Sequence, residues 1–168
     1  MNKRFLLFLL AGLAVAGGVV FIFLTATSGA HLRLEGKILK VRVLSLPGSR
    51  PDKPACLVVV DFRATNPSDV LFVGSSVKLQ LDPATGESVE GTPIAKPDVE
   101  NIFRYEKLLG PQYNPVYSLQ DRIPPHRSVD RMAAARMDVA EAVVQNRKAL
   151  RLRIEDVDGA VAELTEAK

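Results

Sequence analysis

Few side chains in this sequence belong to the types that catalyse reactions or bind metals. The 168 residues include one cysteine, Cys56, and two histidines, His31 and His126. Ser128 and Asp121 lie near His126 in the sequence, but we favour a surface histidine at the start of a strand over a Ser-His-Asp triad. The sequence therefore predicts a non-enzymatic protein with no catalytic residue, metal site or cofactor.

Two further motifs have structural interpretations. Cys56 stands at the start of an apolar stretch without a basic neighbour that would lower its pKa, so we predict a buried thiol, with an intermolecular disulfide as the alternative. Residues 156–159 (DVDG) are similar to the opening of a calcium-binding loop but lack its later ligands, so a turn is predicted there.

Tyrosines form the only aromatic cluster with a candidate function. Tyr105, Tyr113 and Tyr117 follow Phe103 within fifteen residues. A tyrosine ring offers a large contact area at a low entropic cost, so these three residues are candidate partner-binding residues. The alternative is that this segment covers an open end of the fold and its rings fill the core.

The N-terminal segment is apolar enough to suggest a membrane span. Residues 5–26 contain no charged side chain and follow Lys3 and Arg4, a pattern that predicts a transmembrane signal anchor with residues 1–4 in the cytoplasm. Residues 27–31 would then be a linker and 32–168 an exported domain. The prediction is a bacterial inner-membrane protein whose C-terminal domain is periplasmic or extracellular; the alternative is a signal peptide cleaved near the small residues 28–30.

Charge and small residues limit the expected partners. When Lys3 and Arg4 are set aside, the rest of the chain contains 20 basic and 19 acidic residues. The exported part is therefore nearly neutral, which predicts no nucleic-acid binding. Gly12 and Ala16 have the small-x-x-x-small spacing of packed membrane helices, which makes a homo-oligomer through the anchor a hypothesis. The remaining expected partners are the membrane and another protein.

Residues 32–168 have mostly the alternating pattern of strands. In 32–46 the apolar phase changes around 36–38, which requires a bulge or two short strands. Asp98 and Gly110 are expected to cap and end a helix that follows Pro97. We predict an immunoglobulin-like β-sandwich of seven or eight strands with two short helices, preceded by one transmembrane helix. The clearest strands are 56–65, 77–81 and 150–154. In 128–139 the alanine run favours a helix and the alternation of apolar residues favours a strand, and we predict a strand. A second helix is predicted within 138–147.

Residues 58–81 (VVVDFRATNPSDVLFVGSSVKLQL) resemble the late-embryogenesis-abundant type 2 domain, also called the water-stress and hypersensitive-response domain. In that family a strand ends in an Asn-Pro turn, here Asn66-Pro67, and a short and a longer strand follow. Residues 123–128 (IPPHRS) resemble the family's later step from Ile-Pro into a strand. The resemblance implies an immunoglobulin-like sandwich, often behind a membrane anchor, and no catalytic residues.

These observations lead to two functional hypotheses. The first is a non-enzymatic, membrane-anchored, extracytoplasmic sandwich that acts as a protein-interaction or envelope-associated module. The second is an exported stress-protective or apolar-ligand-binding domain, which signal cleavage could release. An apolar groove of roughly 300 Å³ or more would favour ligand binding, whereas a filled core with an exposed tyrosine patch would favour a protein partner.

Overall fold

A computed structural model of the protein describes residues 17–18, 33–46 and 52–166. Contacts divide the chain into two units, Met1–His31 and Leu32–Lys168, and nearly all the described residues belong to the second. That unit contains eight strands, two short α-helices and one 3-10 turn among its described residues. The elements are β1 (Glu35–Ser45), β2 (Cys56–Asn66), β3 (Phe72–Asp82), β4 (Val89–Pro93), α1 (Lys96–Tyr105), the 3-10 turn (Lys107–Leu109), β5 (Arg122–Ile123), β6 (Arg127–Met137), α2 (Glu141–Gln145), β7 (Ala149–Asp156) and β8 (Val161–Glu166).

The predicted immunoglobulin-like sandwich is wrong, because the sheet closes on itself. Its strands follow the order β4-β6-β2-β1-β8-β7-β3-β5, and β4 also pairs with β3, which closes seven strands into a barrel. All neighbouring pairs are antiparallel except β1 with β8. Bulges between Ile38 and Lys40 in β1 and between Gly74 and Ser76 in β3 interrupt the register. Such bulges increase strand bending and twist, which favours closure over two facing sheets.

The alternation predicted for β2 is confirmed, and both faces of the strand are buried. Val58, Val60 and Phe62 point into the barrel core. Val59 belongs to a second apolar cluster on the outer surface, where α1 and the chain after it cover β2 and β6. The barrel therefore has a filled interior and one covered outer face.

Helix α1 differs from the predicted helix at both ends. Ala95 is the N-cap, Pro97 lies in the first turn, and Asp98 interacts with the helix dipole instead of capping it. The α-helix stops at Tyr105, and Gly110, with φ of 71°, ends the following 3-10 turn. The phase change predicted at 36–38 is confirmed by the bulge after Ile38.

The predicted transmembrane signal anchor at 5–26, the cytoplasmic segment 1–4 and the linker 27–31 lie outside the described residues, apart from Gly17 and Gly18. In the part of the chain that the structure describes, no helix is both long and apolar enough to cross a membrane. This finding does not support a single-pass anchor or the bacterial inner-membrane location derived from it, and we withdraw both predictions.

Candidate functional site

The barrel wall has an opening between β3 and the chain that leaves β4. Strand β4 pairs with β3 only at positions 89–91, opposite Leu79 to Leu81. At Thr92 and Pro93 its register partners are instead in β6, and Ile94 N donates to the carbonyl of Ala134 across 2.9 Å. The two strands therefore separate at the N-terminal side of Leu79.

The opening ends where β3 meets a second segment. Gly74 N donates to the carbonyl of Asp121 across 3.1 Å, and Gln120 N donates to the carbonyl of Gly74 across 2.8 Å. Between Gly74 and the pairing of Leu79 with β4, residues 76–78 of β3 pair with β7, and Ser75 forms the bulge. No second strand pairs with them among the described residues, and we call 75–78 the open edge.

A groove of about 620 Å³ lies along the open edge. This volume is in the range of small-molecule and cofactor sites, roughly 300 to 1,000 Å³. Most of its surface is apolar, and a few charged side chains contribute to the lining. The apolar lining residues are Val77, Pro93, Ile94, Ala95, Pro97, Tyr117 and Leu119; the polar ones are Ser75, Ser76, Lys78, Glu90, Lys96 and Ser118.

Tyr117 connects the groove to the barrel core. Its backbone N–H donates to the carbonyl of Met132 across 2.7 Å, and its ring packs edge-on against Phe62 with centroids 5.9 Å apart. The residue is 4% exposed, and its hydroxyl finds no hydrogen-bond partner among the described residues. Burial raises the pKa of this phenol, and the carboxylates of Asp121 and Asp156 raise it further.

The hydroxyl of Tyr117 lies beside the end of the open edge. A Cβ built on Gly74 would be 1.7 Å from the Tyr117 oxygen, so only a residue without a side chain leaves room for the phenol. A buried hydroxyl without a partner costs about 1–3 kcal/mol. The phenol ring therefore closes the inner side of the groove, while its hydroxyl lies in the core without a partner among the described residues.

The three tyrosines proposed as a partner-binding cluster do not share one environment. Tyr105 at the end of α1 is 78% exposed and Tyr113 is 59% exposed, whereas Tyr117 is buried. The Tyr113 ring lies 4.7 Å from Lys40 Nζ and 5.5 Å from Arg42 Cζ. Tyr113 thus packs on two cations of β1, and partner binding by these residues stays a prediction.

The residues considered for catalysis do not form a triad. His126, with φ of 54°, bonds Asp69 across 2.8 Å on the exposed surface. Ser128 instead shares a hydrogen bond with Thr65, and Asp121 accepts from Ser118 and Arg131. These bonds tie the side chains to separate partners.

Cys56 and residues 156–159, the other candidates for chemistry, have structural roles in the described part of the chain. Cys56 is fully buried, and burial together with the nearby Glu141 carboxylate raises the pKa of its thiol to about 11. The Asp156 carboxylate accepts from the backbone N–H groups of Val73 and Asp158, which holds the predicted turn at 156–159. Among the described residues, no group of three His, Cys, Asp or Glu side chains could hold a metal ion.

Apart from Tyr117, the sequence alone did not indicate the groove residues. Positions 75–78 have the pattern of an ordinary strand, and positions 93–97 that of a loop before a helix. The opening depends on where β4 leaves β3, which is a long-range property. The available signal was the Pro93 and Pro97 pair, since proline does not donate to a neighbouring strand.

Comparisons with known proteins leave the family open. No family model matches the chain, and no curated protein matches it. One matching solved structure is Northeast Structural Genomics Consortium target SoR45, with 12% identity, a TM-score of 0.37, and coverage of 81% of this chain and 82% of that chain. Another is a functionally unknown protein from Listeria monocytogenes EGD-e, with 15% identity, a TM-score of 0.40, and coverage of 80% and 77%. The resemblance of 58–81 to the late-embryogenesis-abundant type 2 domain stays a prediction.

Proposed function

We propose that the barrel domain is a non-enzymatic binding module that holds an apolar ligand in the groove along the open edge. The observation that carries this proposal is a groove of about 620 Å³ with a mainly apolar lining at a gap in the barrel wall. Burial of apolar ligand surface there would contribute roughly 25 cal/mol per Å² before the losses of association. The volume of the groove is above the roughly 300 Å³ that favours ligand binding.

The filled barrel interior supports the same location for the ligand. Large side chains from opposite sides of the barrel, such as Phe62, Phe72 and Leu152, are fully buried in one core. A ligand between the walls would have to displace such side chains. The groove already has space beside Val77 and Leu119, so a ligand binds there without repacking the core.

The proposal can be tested with the neutral fluorescent dye Nile red and the purified full chain. Leu119 lines the groove and is 62% exposed, so Leu119→Asp places a charge in the groove without burying it. Leu108, which is 83% exposed and outside the groove lining, provides the matched control Leu108→Asp. We expect Leu119→Asp to weaken dye binding at least about tenfold, and Leu108→Asp to leave it unchanged.

Either of two results would overturn this function. Equal dye affinity in all three proteins would mean that the dye binds elsewhere on the chain, and no dye binding by the wild-type chain would remove the groove as an apolar site. Because both variants add the same charge, general electrostatic effects cancel in the comparison.

A second candidate function is contact with a protein partner at the outer surface of the inserted segment. The exposure of Tyr105, Leu108 and Tyr113 favours it, because large apolar side chains at a surface contribute strongly to interfaces. A photocrosslinking amino acid at 105 or 113 should capture one specific partner in cells, whereas the same group at the exposed Val157 should not. Equal labelling at all three positions would contradict it.

A further inference from the structure

The open edge presents backbone groups that an added strand can use. In a strand, successive N–H and C=O groups point alternately to the two sides. Residues 76–78 pair with β7 on one side only in the described structure, and Ser75 forms the bulge, so the groups on the groove side lack a backbone partner there. An unpaired strand edge is a template for another extended chain.

The groove has the dimensions of a short extended peptide. Four residues of strand extend about 13 Å at ~3.3 Å per residue. A chain placed beside 75–78 would continue the line of β4 past Gly91, where β4 leaves β3. Its alternate side chains would contact Val77, Ile94 and Leu119, which line the groove.

The charged side chains that line the groove already have partners within the chain. Lys78 Nζ bonds Glu90 Oε1 across 3.0 Å, and Lys96 Nζ lies 4.0 Å from Glu100 Oε1. The hydroxyl of Tyr117 is buried against Gly74, so a ligand in the groove does not contact it. The backbone groups on the groove side of β3 are therefore the polar feature that selects the ligand.

We infer that the ligand of the groove is an extended apolar peptide segment, donated by another protein and paired with 75–78 of β3. This inference rests on the proposed function and specifies its ligand. An acyl chain would fit the apolar lining as well. It would, however, cover the unpaired backbone groups of β3 without bonding them, and burying such groups without partners is costly. A peptide backbone satisfies them, which decides between the two ligands.

A displayed library of random heptapeptides can test the inference on the full chain. Selection on the wild type with counter-selection on Leu119→Asp should enrich apolar runs of four to five residues. The best peptide is then synthesised with single backbone N-methyl groups at each position. Methylation at alternate positions should weaken binding at least about tenfold and at the intervening positions less than threefold, because only alternate amides face β3.

Hydrogen exchange gives an independent readout. Bound peptide should slow amide exchange within 75–78 at least about tenfold, since an added strand engages the amides that face the groove. The Leu108→Asp variant should show the same protection as the wild type. Sodium dodecanoate, used as the acyl probe, should neither slow exchange at 75–78 nor displace the peptide at equal concentration.

Different experimental results would contradict the binding function and the peptide inference. If Nile red binds in the groove but no peptide is enriched, or if N-methylation at every position has no effect, the peptide inference is wrong and the binding function stands. If dodecanoate displaces Nile red and no peptide does, the ligand is an acyl chain. If Nile red does not bind in the groove, both proposals are wrong.

Discussion

The guanidinium of Arg42 donates to the carboxylate of Asp61 across 2.7 Å, and both side chains are less than a tenth exposed. A second guanidinium nitrogen donates to the carbonyls of Leu109 and Pro111. Asn114 donates to the other oxygen of Asp61 across 2.9 Å. This ion pair therefore holds the segment after α1 against β1 and β2, and the same segment supplies one wall of the groove.

Removing one partner of this pair should be strongly destabilising. Arg42→Met leaves the Asp61 carboxylate buried without its cation, and we expect a loss of about 3–5 kcal/mol in the free energy of unfolding. The double variant Arg42→Met with Asp61→Leu should regain only part of that loss, because the carbonyls of Leu109 and Pro111 and the side-chain amide of Asn114 also lose their partners. Urea denaturation of the four proteins of the cycle measures both effects.

An exposed ion pair provides the control for this cycle. Arg63 bonds Asp130 at 2.7 Å, but their side chains are 52% and 35% exposed. Arg63→Met should cost far less than Arg42→Met, since water solvates the carboxylate that remains. Equal losses for the two substitutions would contradict the role of the buried pair.

Gly74 should tolerate a side chain only when Tyr117 is shortened. In Gly74→Ala the new Cβ would lie 1.7 Å from the Tyr117 oxygen and 2.7 Å from its Cζ, so the phenol must move, at a cost of about 1–3 kcal/mol. In a Tyr117→Leu background the same substitution should cost less than about 0.5 kcal/mol, because the clash is absent. Urea denaturation of the four chains gives the coupling energy.

A coupling energy near zero would contradict this contact. It would mean that Gly74 is needed for its own backbone conformation and not for the room it leaves to the phenol. The position of Tyr117 at the end of the open edge would then lose its support.

The sequence predicts those features of the structure that depend on residues close together in the chain, and not those that depend on pairing between distant strands. The alternation in β2 and the phase change before Lys40 are local, and both were predicted. Barrel closure depends on β4, a strand of five residues that pairs with both β3 and β6. A sandwich and a barrel share the same alternation of buried and exposed residues, so the sequence pattern could not distinguish them.

The groove was beyond prediction for the same reason. Ser75 and Ser76 belong to a groove only because β4 leaves β3 at Gly91. Tyr117 enters the core because its backbone pairs with Met132 and Gly74 leaves it room. No local pattern around Tyr117 distinguishes it from the exposed Tyr105.

Replacing Asn66 of the Asn-Pro turn by aspartate, which has the same size and shape, should destabilise the fold. Its Nδ2 donates to the carbonyls of Val70 and Ile123 across 2.8 and 2.9 Å, and the residue is fully buried. In Asn66→Asp an ionised carboxylate would face both carbonyl oxygens, so we expect a loss of at least about 2 kcal/mol at pH 7.

This loss should also depend on pH. The new carboxyl group would have a pKa above its unfolded value, since one of its oxygens would be buried against the carbonyls of Val70 and Ile123 and only the other would keep the donors of Ser68. The loss should therefore shrink as the pH falls towards about 4. Asn101→Asp, at an exposed position of α1, is the control and should change stability little at either pH. A loss in Asn66→Asp that is the same at pH 4 and pH 7 would contradict the explanation.

Asp82 should lose much of its pKa shift when Ser88 loses its hydroxyl. The Ser88 hydroxyl donates to Asp82 across 2.5 Å, and this bond, followed by the one from Arg151, holds the pKa of Asp82 below its ordinary value of 3.8. A lowered pKa stabilises the folded chain above the ordinary value, and that stabilisation is lost as the pH falls through the lowered one. In Ser88→Ala the pKa of Asp82 should move up towards 3.8, as followed by carboxyl carbon NMR. Thr85→Ala, an exposed change in the same turn, should leave the Asp82 pKa in place. An unchanged Asp82 pKa in Ser88→Ala would assign the shift to the cations Arg151 and Lys148.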